Sequence, residues 1–139
     1  MSLKTKSGSP LVIRPVQPAE INLIKSDWYR SFAEYAPERR KIRPDVFSTC
    51  LNGRIERLIE RFPPVVAVFE RVPDEVLGWV CREFARPVTH YVYVKRDFRR
   101  QGIASALVQS TMCYTHRTDA GSDLFRAVGA LYNPFLLES

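Results

Sequence analysis

The segment Arg99-Arg100-Gln101-Gly102-Ile103-Ala104 holds the residue types that bind phosphate: two adjacent cations, a glycine, and small side chains at the start of an apolar repeat. Before it, Val88-Thr89-His90-Tyr91-Val92-Tyr93-Val94 is β-branched and aromatic and reads as a strand. After it, Ile103, Ala106, Leu107 and Val108 recur at helical spacing, which predicts a helix over Ile103 to Met112. Gly102 therefore falls at a strand-to-helix turn. The first amides of a helix have no internal partners and lie at the positive end of its dipole. Gln101, Gly102, Ile103, Ala104 and Ser105 are thus the expected phosphate-binding positions, with Arg99 and Arg100 supplying charge. Gly102 and Ala104 keep side-chain bulk away from the approach.

A turn of this kind needs strands and helices to hold it, and the rest of the chain supplies them. Leu11 to Pro15 reads as a first strand. Pro18-Ala19-Glu20 opens a helix whose apolar positions Ile21, Ile24, Trp28 and Phe32 recur at helical spacing and which ends near Tyr35. Pro44-Asp45 starts a second, with Val46, Cys50, Leu51, Ile55, Leu58 and Ile59 apolar and several arginines and glutamates opposite. Pro63-Pro64 closes it. Val65 to Glu70 and Val76 to Phe84 read as antiparallel strands joined by a turn at Val72-Pro73-Asp74-Glu75. Beyond the cradle helix, Cys113 to Thr118 is expected as a strand, Gly121 to Val128 as a short helix, and Ala130 to Leu137 as a last strand interrupted by Pro134. No repeat or linker divides this order, so residues 1–139 are expected to form a single domain, with residues 1–10 flexible.

Composition agrees. The 139 residues are 45% hydrophobic and 26% charged, ordinary globular proportions. The polar start of the chain has no leader-like segment, and the apolar run Val65 to Phe69 is far too short to span a bilayer, so a cytoplasmic protein without membrane contact is expected. Three cysteines, an odd and widely spaced set, argue against a disulfide framework. With only two histidines beside them, no metal-ligand spacing appears and no metal is expected. The net charge of +6 calls for an anionic partner.

The stretch from Val94 to Leu107 resembles the central motif of the Gcn5-related N-acetyltransferases, the GNAT family. Arg99, Gly102 and Ala104 fit its pattern of arginine or glutamine, glycine, then glycine or alanine, and Val94, Phe98 and Leu107 stand where the family has a valine, an aromatic and a leucine. The resemblance implies an α/β (α+β) fold: a mixed, mostly antiparallel central sheet flanked by helices and splayed between the fourth and fifth strands. It also implies acetyl-coenzyme A (acetyl-CoA) as the acyl donor. The pantetheine arm would lie in the splay against Val92 and Val94, and the pyrophosphate would lie on Arg99, Arg100, Gln101, Gly102, Ile103, Ala104 and Ser105. The implied reaction is acyl transfer to an amine of a small molecule or protein.

That chemistry asks for a base, and the glutamate the family often places on the strand before the cradle is missing. The polar residues there are His90 and Tyr91; a histidine titrating near neutrality suits the task. Glu83, on the preceding strand, is the next candidate. Each has a plainer role as well, His90 as a hydrogen-bonded interior histidine and Glu83 as the ion-pair partner of Arg82 or Arg86. Aligned with the family, Phe125 takes the place of a tyrosine that protonates the leaving thiolate, so Tyr132, Tyr114 or His116 would have to substitute. A second basic cluster, Arg39, Arg40, Lys41 and Arg43, is either a solvated loop or a contact for an acidic or nucleic-acid partner. Two alternatives stand beside the amine acyltransferase: one that acts on transfer RNA or a modified DNA base, and a non-catalytic coenzyme A-binding module. The chain is expected as a monomer or homodimer.

Overall fold

The β-branched and aromatic runs become strands, and the prolines bound the helices between them. In the computed structural model, which describes residues 3–138, β1 (Leu3–Lys4), β2 (Pro10–Pro15), β3 (Val65–Phe69), β4 (Val72–Arg82) and β5 (Val88–Val94) pair antiparallel in chain order. β6 (Cys113–Tyr114) then lies parallel to β5, and β7 (Leu131–Tyr132) parallel to β6. The described residues thus form a mixed, mostly antiparallel seven-stranded sheet with helices on both faces.

Side chains alternate across a strand, so the sheet has two apolar faces. One carries Val66, Val68, Trp79, Cys81 and Tyr91, covered by α1 (Ile21–Tyr35) through Ile24, Trp28 and Phe32 and by α2 (Pro44–Arg61) through Leu51, Ile55 and Leu58. The other carries Leu11, Ala67, Leu77, Val80 and Val94, covered by α3 (Ile103–Leu107) through Ile103 and Leu107 and by α4 (Asp119–Ala127) through Phe125. A 3-10 turn at Pro18–Glu20 leads into α1, and Pro44 stands in the first turn of α2, where its missing N–H costs no hydrogen bond.

Several elements depart from the sequence reading for identifiable reasons. The cradle helix expected to reach Met112 stops at Leu107, because the Arg82 guanidinium on β4 donates to the carbonyls of Leu107 (3.0 Å) and Gln109 (2.8 Å). A cation capping those carbonyls satisfies them as a further helical turn would have done. Ser110 then takes a left-handed φ of 64°. The turn expected at Val72–Glu75 is instead Glu70 and Arg71, with Pro73 to Glu75 bulged out between the Phe69↔Val72 and Val68↔Val76 pairs. β4 ends at Arg82 rather than Phe84. The strand expected over Cys113–Thr118 is only Cys113–Tyr114, and the one expected over Ala130–Leu137 is Leu131–Tyr132 followed by a 3-10 turn at Pro134–Glu138. Residues 3–10, read from composition as flexible, form a hairpin in which Leu3 pairs with Leu11 and Lys4 with Pro10; Met1 and Ser2 lie outside the described residues. No described helix is long and apolar enough to cross a membrane.

Candidate active site

The strand β5 and the turn after it are fixed from three sides. Gly78 on β4 sits opposite Val94, and a Cβ there would stand 2.8 Å from the Tyr93 carbonyl oxygen and 3.2 Å from Val94 Cα, so only glycine lets the two strands close at this point. The Phe98 ring packs edge-on to Phe69, with centroids 5.7 Å apart. The Lys6 N–H donates to the Gln101 carbonyl (3.0 Å), so the β1–β2 hairpin buttresses the turn. Gly102 caps α3 with φ of 87°, left-handed backbone that favours glycine, and a Cβ on it would meet nothing within 4 Å. The space before the first turn of α3 is therefore open, and the N–H groups of Ile103, Ala104 and Ser105 fall in the turn that has no intrahelical acceptor.

The pairing of β5 with β6 stops after Val88↔Cys113 and Thr89↔Tyr114. Lys95 donates its N–H to Leu77 on β4 (2.8 Å), so by strand alternation Val92 and Val94 turn their main-chain groups to the opposite edge, which β6 leaves uncovered. This is the splay, directly upstream of Gly102. The Val94 carbonyl accepts from Arg99 Nε (2.8 Å), and the same guanidinium lies 5.7 Å over the Tyr93 ring, so Arg99, though exposed like Arg100, is folded back on β5.

His90 and Glu83, singled out separately in the sequence, are brought together. Tyr91 pairs with Cys81 and Thr89 with Arg82, which leaves His90 as the extra residue of a β-bulge. Its ring is 1% exposed and stacks on Phe62 with centroids 5.2 Å apart. His90 is thus an interior residue, and direct contact with an acceptor is closed to it. Glu83, just beyond β4, accepts from Arg86 Nε and Nη2 at 2.7 Å each and bonds His90 Nε2 at 2.9 Å. His90 Nδ1 meets Thr115 Oγ1 at 2.9 Å, and that oxygen meets His116 Nδ1 at 3.0 Å. The Arg86 guanidinium holds the Glu83 carboxyl below its ordinary range, while burial, opposed by Glu83, pushes the His90 ring down. With Glu83 ionised and His90 neutral, the proton positions follow in sequence. His90 Nε2–H donates to the carboxylate, Thr115 O–H donates to His90 Nδ1, and His116 Nδ1–H donates to Thr115. His116 Nε2 is left as a bare acceptor, and it has no hydrogen-bond partner among the described residues. Sequence reasoning missed Thr115, because only the β5–β6 register places it between the two imidazoles.

Thr115 and His116 stand in the wall of a cavity of about 520 Å³ between α1, α2 and the C-terminal turn, which Tyr132 also lines. Tyr132 is 42% exposed, and burial together with the Glu38 charge raises its hydroxyl, which stays protonated at neutral pH. Phe125, at the place of the family's tyrosine, is buried and stacks on Tyr114 at 4.2 Å. Tyr91 is buried against Trp28 at 5.2 Å, with its hydroxyl 2.8 Å from Ser31 Oγ. The Arg39–Arg43 cluster lies outside the cavity: Arg39 donates to the Ala33 carbonyl (3.2 Å), and Arg43 forms a two-pronged pair with Asp45 (3.0 and 2.5 Å). Glu83 and Arg86 line a separate cavity of about 510 Å³ with Ala106 and Leu107, so the hydrogen-bond chain runs from one cavity to the other.

Comparison with known proteins bears on this arrangement. Residues 25–118, from α1 past the splay, match the family model for the acetyltransferase (GNAT) family. A possible acetyltransferase from Clostridium difficile 630 has the same fold at 16% identity, with a TM-score of 0.55 over 87% of this chain and 90% of that one. YjaB from Escherichia coli, in its apo form, is 22% identical with a TM-score of 0.49; the alignment covers 73% of this chain and 63% of YjaB, less than two thirds of its length. An aminoglycoside acetyltransferase from an uncultured soil metagenomic sample is 20% identical with a TM-score of 0.37, over 88% of this chain and 77% of that one. No curated protein sequence matches significantly. The motif at the Gly102 turn, the splay beside it and the family match across most of the sequence agree, and the chain belongs to the acetyltransferase (GNAT) family.

Proposed function

We propose that the protein is an acetyl-CoA-dependent N-acetyltransferase. The observation that carries this reading is the uncovered edge of β5 at Val92 and Val94 running straight into the left-handed Gly102 turn. The open space before Gly102 and the free first-turn amides of Ile103, Ala104 and Ser105 suit a pyrophosphate, with Arg100 adding charge. The main-chain groups of Val92 suit the amides of a pantetheine arm, and the Val94 N–H is available to polarise an acyl carbonyl. Bound acetyl-CoA supplies the activated acyl group as a thioester. The chain's part is to hold that group in line with an amine in the 520 Å³ cavity.

In this reading His116, Thr115, His90 and Glu83 are relay residues. A proton that reaches His116 Nε2, an atom shut from solvent and so dependent on the cavity wall opening, releases the one on Nδ1 to Thr115, whose own passes to His90 Nδ1, and His90 Nε2–H passes to Glu83. No imidazolium forms in the core, which matters because burial and the Arg54 charge disfavour one at His116. From Glu83 the proton leaves through the second cavity. Tyr132, protonated and facing the acceptor cavity, is the donor for the leaving thiolate.

Thermal melting with acetyl-CoA, and with free coenzyme A as control, tests the reading. At a hundred times Kd the ligand stabilises the fold by about 2.7 kcal/mol, an upward shift in Tm of roughly 5–10 °C. An unmoved Tm sinks the reading. His90→Gln is expected to leave that shift intact and to lower acyl transfer, read as free-thiol release over an amine panel, by about tenfold or more in kcat, with a changed pH profile. Binding without transfer to any amine would instead identify a coenzyme A-binding module.

A further inference from the structure

The acceptor cavity has a charge that acyl transfer does not require. Arg54, Arg57 and Arg61 recur at spacings of three and four along α2 and so share one face of it. All three line the cavity, Arg117 joins them from the segment after β6, and among the described residues of the lining Glu38 alone carries a carboxylate. The remaining acids of α2 are spent elsewhere or stand outside the lining: Asp45 pairs with Arg43, Glu56 pairs with Lys25 at 3.9 Å, and Glu60 is not in the wall. Arg54, Arg57 and Arg117 form none of the described ion pairs. Guanidinium groups collected from two elements repel one another unless an anion lies among them. The cofactor's phosphates do not answer this need, since the Gly102 turn packs on the opposite face of the sheet and shares no residue with the cavity. His116, 4% exposed, stands in the same wall, and its buried Nε2 has no hydrogen-bond partner among the described residues.

We propose that this cavity binds a small amine that also carries two or more acid groups, carboxylate or phosphate, held by Arg54, Arg57 and Arg117. Its volume lies within the usual range for small-molecule sites. Glu38 and the Tyr132 hydroxyl suit the amine end; the two are close enough for the Glu38 charge to act on Tyr132. The amine's part in this inference rests on the transferase reading, whereas the anion site does not. A polycationic amine is disfavoured by the same charges.

The test is calorimetric titration of the full chain with O-phosphoserine, L-glutamate, spermidine and a twenty-nucleotide RNA, each with and without coenzyme A. O-phosphoserine is expected to bind and spermidine not. Arg54→Gln and Arg57→Gln are each expected to weaken O-phosphoserine by about tenfold, the loss of one charge-assisted contact, while the remote Arg126→Gln changes it less than about twofold. The ratio of O-phosphoserine to L-glutamate affinity tells phosphate from carboxylate preference. Spermidine binding as well as O-phosphoserine, or O-phosphoserine affinity indifferent to both cavity variants, overturns the inference. So does RNA binding more tightly than O-phosphoserine and being lost in the same variants, which would make the site a nucleic-acid contact. O-phosphoserine binding without coenzyme A binding would sustain the anion site and sink the transferase; the converse would sink only the anion site.

Discussion

Gly102→Val is expected to weaken acetyl-CoA binding at least about a hundredfold, a loss of roughly 2.7 kcal/mol. Two effects combine. A β-branched residue at φ of 87° is strained, which costs on the order of 1–3 kcal/mol whatever surrounds it. The valine methyls would also fill the open space before the Ile103, Ala104 and Ser105 amides, where an ideal Cβ meets nothing within 4 Å. Gly129→Val separates the two, because Gly129 has φ of 76° and equally open surroundings but lies at the end of α4. Both variants should lose similar stability in urea, and only Gly102→Val should lose the ligand-dependent Tm shift. Normal binding by Gly102→Val would remove the turn from the cofactor site. Equal loss in Gly129→Val would show that the effect is global strain.

The elements that proline and strand composition punctuate were legible. α2 starts at Pro44 and ends before Pro63-Pro64, and β5 spans Val88–Val94 as its residues read. What escaped depends on contacts distant in sequence. The end of α3 is decided by Arg82, and β1 is held by its pairing with β2 and by the Lys6–Gln101 bond. At the candidate site His90 and Glu83 could be named from residue type alone. Their union could not, since a bulge one residue wide determines which way His90 points. The arginines of α2 read as an ordinary polar face opposite an apolar one. Only the path of the chain after β6, which brings Arg117 to them, turns that face into a charged wall.

The same buried chain makes the fold sensitive to acid, and His116 dominates the effect. Burial first, then the charges of Arg54 and His90, hold this ring down at about 3, with only the His90 main chain pulling the other way. In the unfolded chain the ring titrates near its ordinary value of 6.5. Between those two values the unfolded state binds a proton that the folded state refuses, so stability is full above pH 6.5 and falls as pH drops. At 1.36 kcal/mol per unit, His116 alone removes about 3 kcal/mol between pH 6.5 and 4, a large share of a typical domain's 5–15. His90, also pushed down by burial, acts in the same direction, and Glu83, held down by Arg86, adds to the loss below its ordinary 4.5. Asp27 opposes them, because burial raises its carboxyl above 3.8 despite Trp79, Arg30 and Lys95. Urea unfolding at pH 7 and pH 4 should therefore differ by about 3 kcal/mol or more, with an unchanged m-value. His116→Phe keeps a ring against Trp28 and Phe32, whose centroids lie 5.5 and 5.0 Å from that of His116, and removes the titration. It should flatten the profile by about the His116 share, 3 kcal/mol. A slope unchanged in His116→Phe would mean that the proton load falls elsewhere and that the ring between Thr115 and Arg54 is not the neutral end of the chain.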